Sequence, residues 1–182
     1  MSDDFRIEST THLLDSHVFG VERRFVRHAN STYERDVVTH PGGVAVLAVN
    51  DLGEIGVIRQ WRAPFGAYLW EIPAGTQDVL HEQPIETAKR ELREELGCTA
   101  SEWTLLGRFM VSPGWTDQIM TIFEARNLTL TERTPEGPEE TSATIHWFSP
   151  TDLREELRRE PAIDSTVTIA LHRAFGTFFD ER

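Results

Sequence analysis

The sequence predicts an α+β fold, a mixed β-sheet held between helices, with a small antiparallel strand element at the N-terminus. Three observations predict it. Short β-branched and aromatic runs fall in blocks instead of alternating strictly with helices. The run VAVLAV over residues 44–49 is apolar at every position, as in a strand buried on both faces. Between Pro84 and Leu96 the apolar period changes to steps of three and four, which is helical.

Taken in chain order, residues 10–38 read as short strands. Residues 18–26 and 35–39 are β-branched or aromatic pieces broken by Asn30 and Ser31, and they predict an antiparallel element within residues 1–40. Pro41, Gly42 and Gly43 set it off from a main domain over residues 41–182, which opens with the strand at 44–49. Asn50, Asp51, Leu52 and Gly53 carry turn chemistry, so residues 54–61 return as a hairpin partner. Residues 70–73 predict a further short strand ended by Ala74 and Gly75. The helix over residues 84–96 has Pro84 at its front and Gly97 just past its end. Residues 103–110, 119–125 and 145–148 read as strands, separated by the turn SPGWTD and by a polar loop over residues 132–140. Ser149 and Pro150 start a helix running through Glu160, and Asp164 caps a last helix ending near Phe178.

At 182 residues the chain is one domain, or one domain with an appendage. Its 39% hydrophobic content, with five Trp and ten Phe, is too apolar for a disordered chain. Lys and Arg number 18 against 30 Asp and Glu, a net charge of −12. Non-specific nucleic-acid binding needs a basic face and is not expected. An anionic small substrate must then be held by a few placed arginines or by metal ions. The one cysteine, Cys98, excludes an intrachain disulfide and a Cys-rich zinc site, and it predicts a reducing, cytoplasmic location. The acidic start MSDDFRIEST lacks the pattern of a signal peptide, and no apolar run is long enough to cross a bilayer, so neither export nor a membrane partner is expected.

On a helical wheel, Ile85, Ala88, Leu92 and Leu96 share one face of the 84–96 helix, and Glu91, Glu94 and Glu95 lie on an adjoining flank. Glu91 and Glu95 stand one turn apart. Two readings are open. The flank is a solvated acidic face with Arg90 and Arg93 as local partners, or it is a ligand set for hard divalent cations, which prefer carboxylate and phosphate oxygens.

The surrounding residues discriminate between them. Gly75, Glu82, Arg90, Glu91, Glu94, Glu95, Gly97 and Cys98 spell G-x6-E-x7-R-E-L-x-E-E-x-G-C. This resembles the Nudix box, the signature of hydrolases acting on a nucleoside diphosphate linked to another group, with one departure. The family pattern has five residues between the Gly and the first Glu where this chain has six. The extra residue falls in the loop before the helix, so the helix register is expected to survive, with the placement of Glu82 the open point. Upstream, RQWRAPFGAYLWEIPAG resembles the segment leading into the box of ADP-ribose pyrophosphatases, and Ser112-Pro113-Gly114 resembles a turn of that subfamily. The likeness runs from about Val37 to Asp164.

The resemblance implies an α/β/α sandwich of Nudix type and a set of roles. Glu91, Glu94, Glu95 and the carbonyl of Ala74 would bind Mg²⁺ or Mn²⁺, and Arg90 would orient the glutamates by bidentate pairing. The general base would come from the loop before a late strand, where Glu140 matches best by position and Glu139 is second. Arg62 and Arg59 would contact the substrate, with Pro113 and Trp115 shaping the wall near its terminal ribose. Asp117-Gln118 stand where relatives often carry a glutamate, a departure from the family at this turn. Trp61, Trp70, Trp103 and Trp147 read as packing residues, and Cys98 as buried and inert. The implied activity is metal-dependent hydrolysis of ADP-ribose to AMP and ribose 5-phosphate by a homodimer paired through its N-terminal strands. The alternatives are a Nudix hydrolase of another nucleotide sugar or dinucleotide, and, in a different class, a non-hydrolysing ADP-ribose sensor.

Overall fold

The computed structural model describes residues 4–176, which fall into two compact units: residues 4–42 with Phe109–Met120, and Gly43–Arg108 with residues 121–176.

In the first unit β1 (Arg6–Asp15), β2 (Gly20–His28) and β3 (Ser31–Thr39) form a three-stranded antiparallel sheet with β2 at its centre. Ala29 and Asn30 make the turn between β2 and β3, one residue earlier than the expected break at Asn30 and Ser31, and Ser31 opens β3. The sheet is cross-linked by ion pairs such as Arg23 with Asp36, 2.8 Å apart on directly opposed residues. Strand β1 begins four residues before Thr10, where strands were expected to start. The reason is physical. Every β1 residue is exposed, and two register shifts interrupt its pairing, so no buried face imposes an alternation. The SPGWTD turn belongs to this unit. The Ser112 carbonyl accepts from the N–H groups of Trp115 and Thr116, and Val38 donates to the Trp115 carbonyl at 2.8 Å.

The second unit is built on β4 (Gly43–Val49), β5 (Ile55–Arg62), β6 (Ala67–Glu71), β7 (Ala74–Thr76), α1 (Pro84–Leu96), β8 (Cys98–Met110), β9 (Ile119–Leu130), α2 (Gly137–Ser142), β10 (Thr144–Phe148), α3 (Pro150–Arg158) and α4 (Ser165–Phe175). The sheet runs β10-β5-β4-β9-β8, with β6 added to β5 and β7 to β4. Strand β4 is buried along its whole length, as its unbroken apolar run requires. Val44, Val46 and Ala48 join Ala88, Leu92 and Leu96 of α1 in one apolar cluster, so the alternate residues face the opposite side, where α4 also packs on β4. This is the predicted sandwich of helices about a sheet. Replacing Leu92, fully buried in that cluster, by Ala would cost about 2–5 kcal/mol.

The hairpin after β4 closes as its residues dictate. The Asn50 side-chain oxygen accepts from the N–H groups of Leu52 and Glu54, and Gly53 adopts a left-handed φ of 77°. Helix α1 opens on Pro84 and closes on Gly97, whose φ of 65° lets its N–H reach back to the last turn. Asp164 caps α4 through the Val167 N–H at 2.9 Å.

Several expectations need correction. Ala74 and Gly75 do not end a strand; they form β7, paired with β4. The polar loop at 132–140 gives way at Gly137 to the short helix α2, because Pro138 suits a first turn and no apolar period marked the segment. Strand β8 starts at Cys98, five residues before the expected Trp103. Helix α3 ends at Arg158, short of Glu160, and α4 ends at Phe175, while Phe178 lies outside the described residues. Trp61 does not pack as expected: it is 37% exposed and meets Tyr68 edge-on. Cys98 is buried, and burial pushes its thiol pKa up, which makes it inert as expected.

Candidate active site

Helix α1 lays its apolar face on the sheet, and this fixes the direction of its carboxylate flank. Glu91, Glu94 and Glu95 are 4%, 9% and 2% exposed, so the solvated-face reading does not hold. The Glu95 carboxylate accepts from the Ala74 N–H at 2.7 Å, tying α1 to β7. Glu91 lies over Gly75, where a Cβ would stand 1.9 Å from its Oε1, so any larger residue there must move the Glu91 carboxylate. Arg90 Nη1 sits 2.7 Å from Glu91 and 2.9 Å from Glu94. One nitrogen bridges two carboxylates, which differs from the expected bidentate pairing. The other terminal nitrogen faces Asp78 at 3.6 Å and Glu82 at 3.8 Å.

These carboxylates are hard to ionise as they stand. Burial pushes Glu91 up to about 7, against the pull of Arg90 and with the repulsion of Glu94 and Glu140 added. Burial pushes Glu95 well above the ordinary range too; the Ala74 N–H opposes it, and Glu91 and Glu140 add to it. Glu140 thus acts electrostatically on both. Its own carboxylate accepts from the Glu136 N–H at 2.6 Å, closing the first turn of α2 on itself. At the other end of α2, the Arg133 guanidinium donates to the carbonyls of Glu140 at 2.7 Å and Ala143 at 3.3 Å, where cationic donors suit a helix terminus. Glu139, next to Glu140, faces Arg62 at 3.8 Å.

Arg62 is held from below by Glu71, with contacts of 2.8 and 2.5 Å, and this pairing raises its pKa further. Arg59 lies on the opposite face of β5, 2.6 Å from Glu160 and over the ring of Trp70. Pro113 and Trp115 belong to the first unit, where they line a surface depression with Ile7, Val26 and Val37.

A cavity of about 240 Å³ brings the central residues together. Ala74, Arg62, Arg90, Glu91, Glu94, Glu95 and Glu140 all line it. Asp78 and Glu136 complete six carboxylates against two guanidiniums. Among the described residues, no three carboxylate, histidine or cysteine side chains converge closely enough to hold an ion as they stand. Glu91 and Glu94 are turned to Arg90, and Glu95 to the backbone. The donor set nonetheless fits a hard divalent cation: all oxygen, buried, and short of positive charge. Sequence reasoning missed Thr76, Asp78, Glu136 and Gln60 in this wall. Gln60 had a readable signal, a polar residue two places from the core residue Ile58 on the same strand face.

Comparison with known proteins decides the family. Residues 39–168 match the NUDIX domain. The chain belongs to the NUDIX domain family. It is 33% identical over 183 residues to an ADP-ribose pyrophosphatase of Mycobacterium tuberculosis, a match covering 98% of this chain and 88% of that one. It is 44% identical over 138 residues to an ADP-ribose pyrophosphatase of Bacillus subtilis, covering 76% and 74%. A methanol dehydrogenase activator of Bacillus methanolicus is 32% identical over 142 residues, covering 77% and 75%. Among solved structures, an ADP compounds hydrolase shares the fold with a TM-score of 0.74 at 22% identity, over 93% of this chain and 91% of that one.

Helix α1 runs over Pro84–Leu96 and so carries Arg90, Glu91, Glu94 and Glu95 of the box together. Before the helix, His81 adopts a left-handed φ of 66° and the Glu82 N–H closes a turn on Val79. Glu82 ends beside the first turn of α1, its carboxylate accepting from the Thr87 hydroxyl at 2.8 Å. No helix among the described residues is long and apolar enough to cross a membrane.

Proposed function

We propose that this Nudix protein hydrolyses the diphosphate of ADP-ribose to AMP and ribose 5-phosphate, using Mg²⁺ or Mn²⁺ held by Glu91, Glu94, Glu95 and the Ala74 carbonyl. The observation that carries the reading is the cavity with six carboxylates and two guanidiniums, set on the Nudix helix of a chain whose relatives include two named ADP-ribose pyrophosphatases. Bound there, divalent cations would neutralise the diphosphate, polarise its P–O bonds and acidify a water.

The chain's own residues do the rest. Glu140 takes a proton from the attacking water; its charge acting on both Glu91 and Glu95 supports it over Glu139, which faces Arg62 instead. The water oxygen bonds to one phosphorus, the bridging P–O bond breaks, and the departing phosphate leaves with the electron pair. Arg90 orients Glu91 and Glu94. Arg62, braced by Glu71, offers its guanidinium to the diphosphate. Pro113 and Trp115 serve substrate binding in the same reading, whereas Arg59 is turned to Glu160 on the opposite face of β5, outside the cavity.

The protein acts in this reading as a cytoplasmic homodimer. Exposed Phe5, Ile7, Leu13 and Leu14 on and beside β1 support pairing through the first unit. Light scattering at twice the monomer mass is the expected result.

The activity is tested by chromatographic product analysis with a panel of diphosphate-linked nucleosides in Mg²⁺ or Mn²⁺. ADP-ribose should exceed NAD⁺, diadenosine polyphosphates and ADP-glucose in kcat/KM by at least about tenfold, roughly 1.4 kcal/mol in transition-state binding. A different substrate ranking first would overturn the substrate and leave the chemistry; no turnover of any would overturn both.

A further inference from the structure

Along β5 the side chains alternate, so Ile58, Gln60 and Arg62 share one face. Ile58 lies in the apolar cluster beneath α1, and Arg62 stands in the wall of the acidic cavity. Gln60 sits between them, at the boundary where the core gives way to the site. It lines the same cavity as Glu91, Glu95 and Glu140, is 2% exposed, and its side-chain oxygen has no hydrogen-bond partner among the described residues.

A buried amide oxygen left unpaired destabilises the fold, and an apolar side chain of the same length would fill the place without that cost. The neighbours do not relieve it. With cations bound, the glutamates of the cavity are ionised acceptors, and the Arg62 guanidinium is committed to Glu71 and faces Glu139. In that state a donor carried by the contents of the cavity can meet it. A donor that enters a wall of carboxylates without displacing charge is a water.

We propose that Gln60 is a positioning residue for the attacking water: its carboxamide oxygen accepts one hydrogen of that water while the Glu140 carboxylate takes the other as a proton. With both hydrogens directed to the wall, an oxygen lone pair is left facing the phosphorus. Gln60 itself is unchanged by the reaction. It restricts orientation, so its removal slows turnover and leaves substrate affinity alone. The inference rests on the hydrolytic reading above.

The test compares wild type, Gln60→Met and Gln60→Glu in two measurements, steady-state hydrolysis of ADP-ribose with Mg²⁺ and thermal melting of the metal-free protein. Gln60→Met keeps the length without the acceptor. It should lose about 10- to 100-fold in kcat with KM within about twofold, and melt at the wild-type temperature or about 2–4 °C above it, because an unmet polar group has gone. Gln60→Glu keeps an acceptor oxygen at the same reach and should retain at least about a tenth of wild-type kcat. A Gln60→Met protein with wild-type kcat, a loss confined to KM, or a lowered melting temperature would each overturn the proposal. If Gln60→Met does not fold, Gln60→Glu decides: retained turnover supports the proposal, and turnover at background overturns it. A wild type inert toward every diphosphate-linked nucleoside overturns this inference together with the hydrolytic reading, whereas an active wild type matched by Gln60→Met overturns this inference alone.

Discussion

Glu91 occupies the space above Gly75 so fully that a methyl group there would stand 1.9 Å from its carboxylate oxygen. The glycine lets the Glu91 carboxylate stand where it does, since the clash would be with that carboxylate on the facing helix. Gly75→Ala should therefore push Glu91 out of the cavity, destabilise the protein by about 1–3 kcal/mol and lower turnover by at least about 100-fold. Thermal melting and steady-state kinetics check both; an active, equally stable variant would mean that Glu91 is free to work elsewhere.

Glu140 and Glu139 are adjacent in sequence and differ in surroundings. Glu140 raises the pKa of both Glu91 and Glu95, whereas Glu139 faces Arg62. Glu140→Gln should lose about 10²- to 10⁴-fold in kcat with KM little changed, and Glu139→Gln much less. The reverse order would transfer the role of base to Glu139.

Arg133 touches α2 only at its C-terminal carbonyls, yet α2 carries Glu140. Arg133→Ala removes the clamp and should lower kcat about tenfold while the pH dependence of kcat keeps its shape, since the base itself remains. Unchanged kcat would mean that α2 holds its place without Arg133.

The fold was legible wherever a buried face imposed a period. Strand β4 announced itself by an unbroken apolar run, and α1 by Ile85, Ala88, Leu92 and Leu96 together with Pro84 and Gly97. Strand β1 was not, because all its residues face solvent, and neither was α2, six residues long with no buried side chain. In the site, Glu91, Glu94, Glu95 and Arg90 could be read from one helix. Gln60, Asp78 and Glu136 come from other elements, and only the fold brings them to the same cavity.

Metal-free stability should depend on pH in a defined direction. Glu91 has a folded pKa of about 7 against an ordinary 4.5, and Glu95 is shifted the same way. The folded chain then binds more protons than the unfolded chain between these values, so stability falls as pH rises through that window. At about 1.4 kcal/mol per pKa unit, Glu91 alone accounts for about 3 kcal/mol lost between pH 4.5 and 7. Denaturant melts in chelator should show this fall, and added Mg²⁺ should restore stability at pH 8. Metal-free stability that rises across the same range would contradict the assignment of buried, mutually repelling carboxylates.

The central claim is that buried carboxylates of α1 serve the reaction by holding divalent cations. Its most direct test is a titration of Mg²⁺ or Mn²⁺ into wild type and Glu95→Gln, reading ADP-ribose turnover and cation binding by calorimetry side by side. Wild type should turn over only as cation binds, and Glu95→Gln should keep its fold while losing binding and orders of magnitude in turnover. A Glu95→Gln protein hydrolysing at the wild-type rate with the same cation dependence would contradict the account.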